Sequence, residues 1–423
     1  MEITSTAALF SGLGTIAIAW MLMRVVNWVW LKSKKLEKFL RQQGFSGNSY
    51  RLFHGDMKEI TKQASTKAIN ISDSQVHNIV PCVLPFNHHI NTIYGKKSFI
   101  WNGPIPNLTI ADPKMIREIF FKNEIFQKHK TNSLVKWFVS GMVAYEGEQW
   151  FKVRKIASPA FHQHKLKDMF PSIYWSCNEM ISKWKILVSN RNHLELDVWP
   201  DIQTLTADII SRTAFGSSYE DGMKIFELIK QQTKNWTDSM QFGFLPGWRF
   251  LPTALNRRMK SNYNETRALI KGIIHKKKKR QFNLEKQVIM MIYWVTKILQ
   301  EALRLYSPAS ILTRTIYKET KLGEINLPPR ILLSLPLVMV HHDHENWGDD
   351  ADRFSEGVSK ASKNNEVSFF PFGGCIGQNF ALMEAKLALA MILQNFSFEL
   401  SPAYVHAPTR GVTVQPQYGA QLI

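Results

Sequence analysis

The chain has 423 residues, of which 45% are hydrophobic and 21% charged, and its formal net charge is +19. This composition excludes a largely disordered protein and is sufficient for a large buried core. The excess of basic residues is compatible with nucleic acid, an anionic membrane surface or an acidic protein as a partner. Because the chain has no zinc-finger spacing, no RNA-binding aromatic motif and no long basic tail, nucleic acid is the least favoured of the three.

The first thirty residues have the pattern of a membrane anchor. Ile3–Met23 is uncharged and, as a helix, spans roughly 32 Å, enough for a hydrocarbon core of about 30 Å. The basic run Lys32–Lys35 on its C-terminal side and Glu2 before it predict a lumenal N-terminus and a cytosolic body. A cleaved signal peptide is the alternative, but it usually has a basic start and small residues at its cleavage site. We therefore predict an uncleaved transmembrane signal anchor over 1–31 and one folded domain over 32–423.

The rest of the chain predicts a mainly α fold with minor β sheets. In chain order, the pattern predicts a short helix over 36–43, two strands within 96–111 around Gly103-Pro104, a helix that begins at Asp112-Pro113, mainly helical structure over 165–280, one hairpin arm over 321–327, an extended run over 331–340 and short strands over 412–423. The three cysteines, Cys82, Cys177 and Cys375, match no disulfide framework, which favours a reducing compartment.

Trp150 and Arg154 lie four residues apart on a predicted helix, so both side chains lie on one face. The indole N–H and the guanidinium could both donate hydrogen bonds to a carboxylate of a ligand. The alternative is an aromatic ring packed under an arginine as a cation–π pair.

Glu301 and Arg304 also share one face of a predicted helix, which ends before Pro308. An exposed ion pair of this spacing is common and contributes only a few tenths of a kcal/mol. Arg353 follows downstream in an Asp-Arg-Phe sequence and is a candidate third member of the group.

The segment 369–393 places Cys375 in a Gly-Gly turn directly before a predicted amphipathic helix. A thiolate there is stabilised by the positive end of the helix dipole and by unpaired backbone N–H groups. Gly373, Gly374 and Gly377 allow a flat cofactor to approach the backbone closely. The alternative is a buried structural cysteine.

Histidines cluster at 341, 342 and 344 after an extended run. We assign no metal to them, because adjacent side chains of an extended chain point to opposite faces. We expect them to act as hydrogen-bonding groups.

Together these motifs resemble the cytochromes P-450, specifically the plant membrane-anchored subfamily that includes secologanin synthase and triterpenoid oxidases. The resemblance rests on the Cys375 segment and on five further stretches, which are Ser46–Arg51, Ala144–Trp150, Glu319–Gly323, Asn346–Asp350 and Arg353–Val358. It implies the haem-thiolate fold, a haem b and O₂. It also implies electrons from NADPH through a flavoprotein reductase, an endoplasmic reticulum membrane location and a lipophilic, terpenoid-like substrate.

The resemblance also implies roles for individual residues. Cys375 would ligate the haem iron from a loop that includes Phe372 and Gly377. Trp150, Arg154 and Arg314 would bind the haem propionates. Glu301, Arg304 and Arg353 would form a structural triad behind the haem.

Three departures from the family pattern predict internal deletions. Only two glycines separate Phe372 from Cys375, and the arginine that the family carries in this loop is missing. The segment 351–353 is compressed. The long distal helix, with its signature for the O₂ pocket and proton delivery, has no counterpart within 281–300. Two alternatives to an active monooxygenase therefore stay open: a catalytically inactive remnant, and a membrane-tethered interaction module.

Overall fold

The computed structural model describes residues 2–65, 77–128, 142, 145–189, 193–216, 219–239, 248–275, 291–354 and 368–423. The helices are α1 Glu2–Val26, α2 Lys32–Gln42, α3 Met57–Ser65, α4 Val80–Val83, α5 Pro85–Tyr94, α6 Pro113–Phe121, α7 Gly147–Ala157, α8 Gln163–Val188, α9 Trp199–Ile210, α10 Tyr219–Ser239, α11 Ala254–His275, α12 Met291–Leu305, α13 Leu337–His341, α14 His344–Trp347 and α15 Gln378–Asn395. The strands are β1 Ser46–Gly47, β2 Ser98–Asn102, β3 Ile105–Thr109, β4 Gln127–Lys128, β5 Leu196–Asp197, β6 Leu312–Thr315, β7 Thr320–Leu322, β8 Ile325–Leu327, β9 Leu332–Leu335, β10 Pro408–Arg410, β11 Val414–Pro416 and β12 Gln421–Leu422. The predicted fold class, mainly α with minor sheets, is confirmed.

The largest sheet has the strand order β1-β2-β3-β9-β6-β4. Strands β2 and β3 form the predicted hairpin, with Phe99 opposite Leu108, and β3 continues in parallel to β9. The side chains of Phe99, Trp101 and Leu108 are almost completely buried and form a core with residues of α6 and β9. Helix α6 begins as predicted, because the Asp112 side chain accepts a hydrogen bond from the Met115 N–H at 2.9 Å.

Two predictions for residues 318–340 were wrong in detail. The stretch 321–327 contains a complete hairpin turn between β7 and β8 rather than one arm, since Gly323 has a φ of 55° that favours glycine. The run 331–340 is not extended throughout. Strand β9 ends at Leu335, and α13 follows Pro336, whose missing N–H cannot continue a sheet ladder.

A second core lies among the helices that follow the sheet segments. Helix α15 packs against both α8 and α12, so it is covered on more than one side. The expectation of an amphipathic helix after Cys375 was therefore wrong. The same interface places a carboxyl group, Glu384, near the buried thiol of Cys177. Burial raises the pKa of Glu384 to about 7 and, with a contribution from the Glu384 charge, raises that of Cys177 to about 12.

We predict that Glu384→Gln stabilises the protein more at pH 8 than at pH 5. The Glu384 carboxyl ionises near 4.5 when unfolded but near 7 when folded. Between these values the folded state holds the extra proton, so stability falls as pH rises through this window. Glutamine carries no such penalty. Thermal unfolding at pH 5, 6, 7 and 8 should show a Tm difference from the wild type that grows with pH, whereas the exposed Glu399→Gln should show none. A pH-independent difference for Glu384→Gln would contradict this explanation.

Candidate functional site

Cys375 lies at the end of a tight turn that precedes α15 by three residues. The Gly373 N–H donates to the Phe370 carbonyl at 3.1 Å and the Cys375 N–H to the Phe372 carbonyl at 3.0 Å. Gly373 has a φ of 54°, and a Cβ there would lie 2.5 Å from Leu312 Cδ1. The turn therefore requires glycine at 373. Cys375 itself is exposed, which does not fit a buried structural cysteine.

The turn is fixed to the body of the protein by His341, at the end of α13. The Phe370 N–H donates to His341 Nε2 at 2.9 Å, so this nitrogen carries no proton. The imidazole is completely buried, and burial, with the nearby charge of Arg304, lowers its pKa to about 3. His341 is therefore a permanently neutral hydrogen-bond acceptor at physiological pH.

Glu301 and Arg304 form a buried ion pair rather than a surface one. Their side chains are only 3% and 1% exposed, and Arg304 Nη2 lies 2.6 Å from Glu301 Oε1. The guanidinium also donates to the carbonyl oxygens of His341 at 2.8 Å, Ala351 at 2.6 Å and Arg353 at 3.0 Å. The structure thus brings all three predicted residues together, but Arg353 contributes its backbone carbonyl, and its side chain is exposed.

A chain of contacts connects this ion pair to the cysteine. Arg304 binds the His341 carbonyl, and the His341 ring binds the turn that carries Cys375. The sequence indicated only that the histidine cluster makes hydrogen bonds, which is confirmed, since His342 also contacts Asp352 Oδ1 at 2.8 Å and the Leu305 carbonyl at 2.9 Å. The particular role of His341 was missed because its contact is 29 residues away along the chain.

Trp150 and Arg154 lie on one face of α7, as predicted, beside a small pocket. The guanidinium of Arg154 lies 5.9 Å from the centroid of the Trp150 ring, and Lys128 Nζ lies 5.5 Å from it. The structure thus has the cation–π arrangement that the sequence left as the alternative. This contact does not consume the hydrogen-bond donors of the guanidinium.

The pocket has about 330 Å³ of empty space, part of it open to solvent. Its lining includes Lys128, Trp150 and Arg314. Lys128 and Arg314 are brought together because β4 pairs with β6, which places the two residues opposite each other. The sequence analysis did not identify Lys128, since its position depends on a strand pair that is distant along the chain.

Two cations, Lys128 and Arg314, line the pocket beside one acid, Glu146. Burial, with the charges of Arg314 and Arg154, lowers the pKa of Lys128 to about 8, and Glu146 opposes this effect. Burial also lowers the pKa of Arg314. Like charges held together in a half-buried pocket disfavour their own protonated forms, and an anionic ligand would relieve that repulsion.

The cationic pocket and the cysteine turn lie along the same face of β6. Leu312 points at Gly373 of the turn, and Arg314, two residues further along the strand, lies on the same face. Gly377 also borders the thiol, since a Cβ there would lie 3.9 Å from Cys375 Sγ. Phe372 contributes its carbonyl to the turn. The arrangement offers a thiol, glycines beside it and a set of cations for one flat, anionic ligand.

We predict that His341→Ala loosens the cysteine turn. The Phe370 N–H is partly buried, and a buried N–H without an acceptor costs about 1–3 kcal/mol. Hydrogen exchange of the Phe370 and Gly373 amides in the ligand-free protein should therefore accelerate about tenfold or more. His341→Gln restores a carbonyl acceptor and should recover part of the protection, while the exposed His344→Ala should leave it unchanged. Unchanged exchange in His341→Ala would show that this contact does not hold the turn.

Comparison with known proteins assigns the chain to a family. Residues 85–291 and 279–422 match the family described as Cytochrome P450, and the two matches meet between α11 and α12. Cytochrome P450 72A397 of Kalopanax septemlobus is 44% identical over 95% of this chain and 94% of its own length. Cytochrome P450 CYP72A219 of Panax ginseng is 42% identical over 96% of each. The 7-deoxyloganic acid hydroxylase of Catharanthus roseus is 38% identical over 100% of this chain and 99% of its own length.

The alignments with these relatives are longer than the chain itself. They extend over 495, 504 and 525 positions, against 423 residues here. The relatives therefore contain residues that have no counterpart in this chain.

Proposed function

The chain belongs to the cytochrome P450 family, and from this premise we propose that it is a membrane-anchored haem-thiolate protein whose proximal haem site is retained and whose monooxygenase activity is impaired. Proteins of this family are haem-thiolate monooxygenases. The retained haem site is carried by one observation: the exposed Cys375 and the cationic pocket around Arg314 lie along the same face of β6.

We assign the residues around a bound haem b as follows. Cys375 ligates the iron, while Gly373 and Gly377 keep the space beside the thiol open. The propionates would bind at the pocket, which Trp150 and Arg314 line, with Arg154 beside Trp150 and Lys128 as a further donor. The residues present fit the group, because the β4–β6 pair brings Lys128 and Arg314 together beside the Trp150 indole, and all of these side chains are hydrogen-bond donors that suit carboxylates. When bound, the haem supplies O₂ chemistry, and a thiolate ligand favours cleavage of the O–O bond.

The other residues of the site hold the ligand loop. Glu301 neutralises Arg304, Arg304 fixes the carbonyls of three segments, and His341 fixes the turn. Since the Arg304 contacts are charge-assisted and largely buried, they hold the segments around Arg304 in a single arrangement. Precise placement of the Cys375 sulfur depends on that rigidity.

We propose the redox partner, the location and the substrate by analogy with the family. We propose that electrons come from NADPH through a flavoprotein reductase and that residues 1–31 anchor the chain in the endoplasmic reticulum membrane with a cytosolic body. One helix, Leu13–Gln42, is long and apolar enough to cross a membrane. We propose a lipophilic, terpenoid-like substrate and a hydroxylation, supported by a relative that is a 7-deoxyloganic acid hydroxylase.

We propose that the monooxygenase activity is impaired because the sequence lacks features that the family carries on the O₂-binding side of the haem. Residues 281–300 carry no distal-helix signature, and of these 281–290 lie outside the described residues, whereas 291–300 belong to α12. Helix α7, which carries Trp150, has no buried residue and exposes Phe151 and Ile156 at 62% and 79%. These exposed apolar side chains support the loss of a covering element. Oxygen transfer needs a dry pocket and a positioned proton donor. The sequence carries no signature for the proton donor, and among the described residues no element covers Phe151 and Ile156.

We predict that the wild-type chain binds haem and that Cys375→Ser abolishes the thiolate-type Soret band of the reduced, CO-bound form. Cys82→Ser, which changes a cysteine far along the chain from the loop, should keep the band. NADPH-dependent product formation with reductase should be absent or at least tenfold below that of a full-length relative. Full turnover would contradict the impairment. A chain that retains no haem but still binds reductase or membranes would favour the interaction module.

We predict opposite effects of Lys128→Met on the haem-free and haem-bound protein. With a pKa near 8 when folded, against 10.5 when unfolded, Lys128 lowers the stability of the haem-free protein below pH 8, and this cost disappears as pH rises to about 10.5. Methionine should therefore raise the Tm of the haem-free protein at pH 7. It should also weaken haem binding about tenfold to a hundredfold, because a charge-assisted hydrogen bond of about 1.5–3 kcal/mol is lost.

Two controls test whether the weaker haem binding of Lys128→Met comes from the lost contact with a propionate. Lys152→Met, on the exposed side of α7, should change neither quantity. Haem dimethyl ester, whose propionates carry no charge, should bind the wild type and Lys128→Met equally. If Lys128→Met weakened the ester and free haem to the same extent, the propionate assignment would be wrong.

A further inference from the structure

The helix that follows the membrane anchor contains no breaking residue. Between Gly14 and Gly44 the sequence has neither glycine nor proline. Helix α1 passes into α2 through one π-helical turn, Asn27–Leu31, and the Lys32 N–H continues the hydrogen-bond ladder to the Asn27 carbonyl. The backbone dihedral angles of Val26, Leu31 and Lys32 are all helical. The anchor and α2 are thus one helical rod.

The C-terminal part of this rod belongs to the folded body. One stripe at helical spacing, consisting of Val29, Ser33, Glu37 and Leu40, is buried, each residue being at most 7% exposed. Leu40 is part of the core that contains Trp101. Burial of this stripe begins within two turns of the end of the apolar run, so no free linker separates the body from the anchor.

A polar clamp centred on Glu37 adds to this packing. Its carboxylate accepts from Lys34 Nζ at 3.0 Å, Arg41 Nη2 at 3.1 Å and the Tyr50 N–H at 3.3 Å. Burial opposes ionisation, but these hydrogen bonds outweigh it and lower the pKa of Glu37. Arg41 continues to the Gly47 carbonyl at 2.8 Å. The Glu37 side chain therefore joins two turns of α2 to the backbone at Tyr50, in the segment that follows β1.

Two further contacts fix the direction of the rod against the sheet. Ser33 Oγ donates to the Pro104 carbonyl, in the turn between β2 and β3, at 3.0 Å. Ten residues later, Gln43 exchanges hydrogen bonds with the backbone of Asn326 in β8, at 2.9 and 2.8 Å. Contacts separated by about 15 Å along the helix axis hold a rod at a defined angle.

The exposed face of α2 is positively charged, and anionic membrane surfaces attract positive charge. Lys32, Lys35 and Lys38 are exposed at three-residue intervals, directly after the exposed Trp28 and Trp30. Aromatic side chains and then cations are the order expected as a helix leaves the hydrocarbon for the headgroup phosphates.

From these contacts we propose that the anchor is a rigid mount: the helix leaves the bilayer and enters the core of the body without a hinge, and the Glu37 clamp sets the orientation of the body relative to the membrane. The turn between β2 and β3 then lies nearest the headgroups. The proposal rests on the membrane anchoring proposed above and goes beyond it, since an anchor on a free linker would attach the chain equally well.

The lysine and arginine residues of this segment allow its exposure to be tested by proteolysis. Trypsin cleaves after lysine and arginine, and the mount contains five such residues: Lys32, Lys34, Lys35, Lys38 and Arg41. A free linker with this sequence would be cut rapidly and would release the body, whereas a docked helix is cut only when it opens locally.

The experiment uses the full chain reconstituted in lipid vesicles, with brief trypsin treatment and mass spectrometry of the cleavage sites. A six-residue insertion, Gly-Ser-Gly-Lys-Gly-Ser, between Leu31 and Lys32 is the reference for a free linker, because it carries its own trypsin site. We expect the wild type to be cut within 32–41 at least tenfold more slowly than this variant is cut at the inserted lysine. Glu37→Ala should accelerate cleavage about tenfold and Glu37→Gln by less. Glu118→Ala, which removes an exposed i,i+4 pair with Lys122 on α6, should leave the rate unchanged.

Two outcomes would overturn the rigid mount: cleavage of the wild type as fast as of the insertion variant, or no effect of Glu37→Ala when far-UV circular dichroism shows an intact fold. The insertion variant decides the first point even if Glu37→Ala fails to fold. Extraction of the wild type from vesicles by carbonate would instead refute the anchor itself. A missing haem spectrum would refute the haem site and leave the cleavage result unaffected.

Discussion

The arrangement of the segments around the cysteine turn depends on one buried charge. Arg304 lies in the interior, where an uncompensated guanidinium is not tolerated, and Glu301 alone does not satisfy its donors. The remaining donors need carbonyl oxygens, and those of His341, Ala351 and Arg353 occupy these places. Removing one member of a buried pair costs about 3–5 kcal/mol. The charge therefore forces helix α12, helix α13 and the segment around 351 into one geometry, from which His341 reaches the cysteine turn.

This constraint is compatible with the internal deletions that we propose. The segment 351–353, which we propose is compressed relative to the family pattern, still brings the Ala351 and Arg353 carbonyls to Arg304. A backbone carbonyl can be supplied by any residue type, so the contact tolerates changes that a side-chain triad would not. By contrast, no backbone contact can replace the arginine that the family pattern has in the loop before Cys375. That arginine would pair its side-chain charge with a haem propionate, and backbone groups carry no such charge.

Local patterns predicted local structure well. The alternation around Gly103-Pro104 predicted the hairpin of β2 and β3, and Asp112 was identified as a helix cap from its place before a proline. The spacing of Trp150 and Arg154 placed both on one helix face. Contacts between distant segments were not predictable: Lys128 enters the pocket through a strand pair with Arg314, and His341 meets Phe370, which is 29 residues away along the chain. The family resemblance identified Arg353, but only the structure shows that its backbone makes the contact.

The central claim is that Cys375, held by this network, ligates a haem iron in this particular chain. Iron K-edge X-ray absorption of the purified, haem-loaded wild-type protein measures that bond directly. We predict one sulfur scatterer in the first coordination shell of the ferric iron, together with the four porphyrin nitrogens. A shell that contains only nitrogen and oxygen, in protein that retains its fold and its haem, would contradict the account.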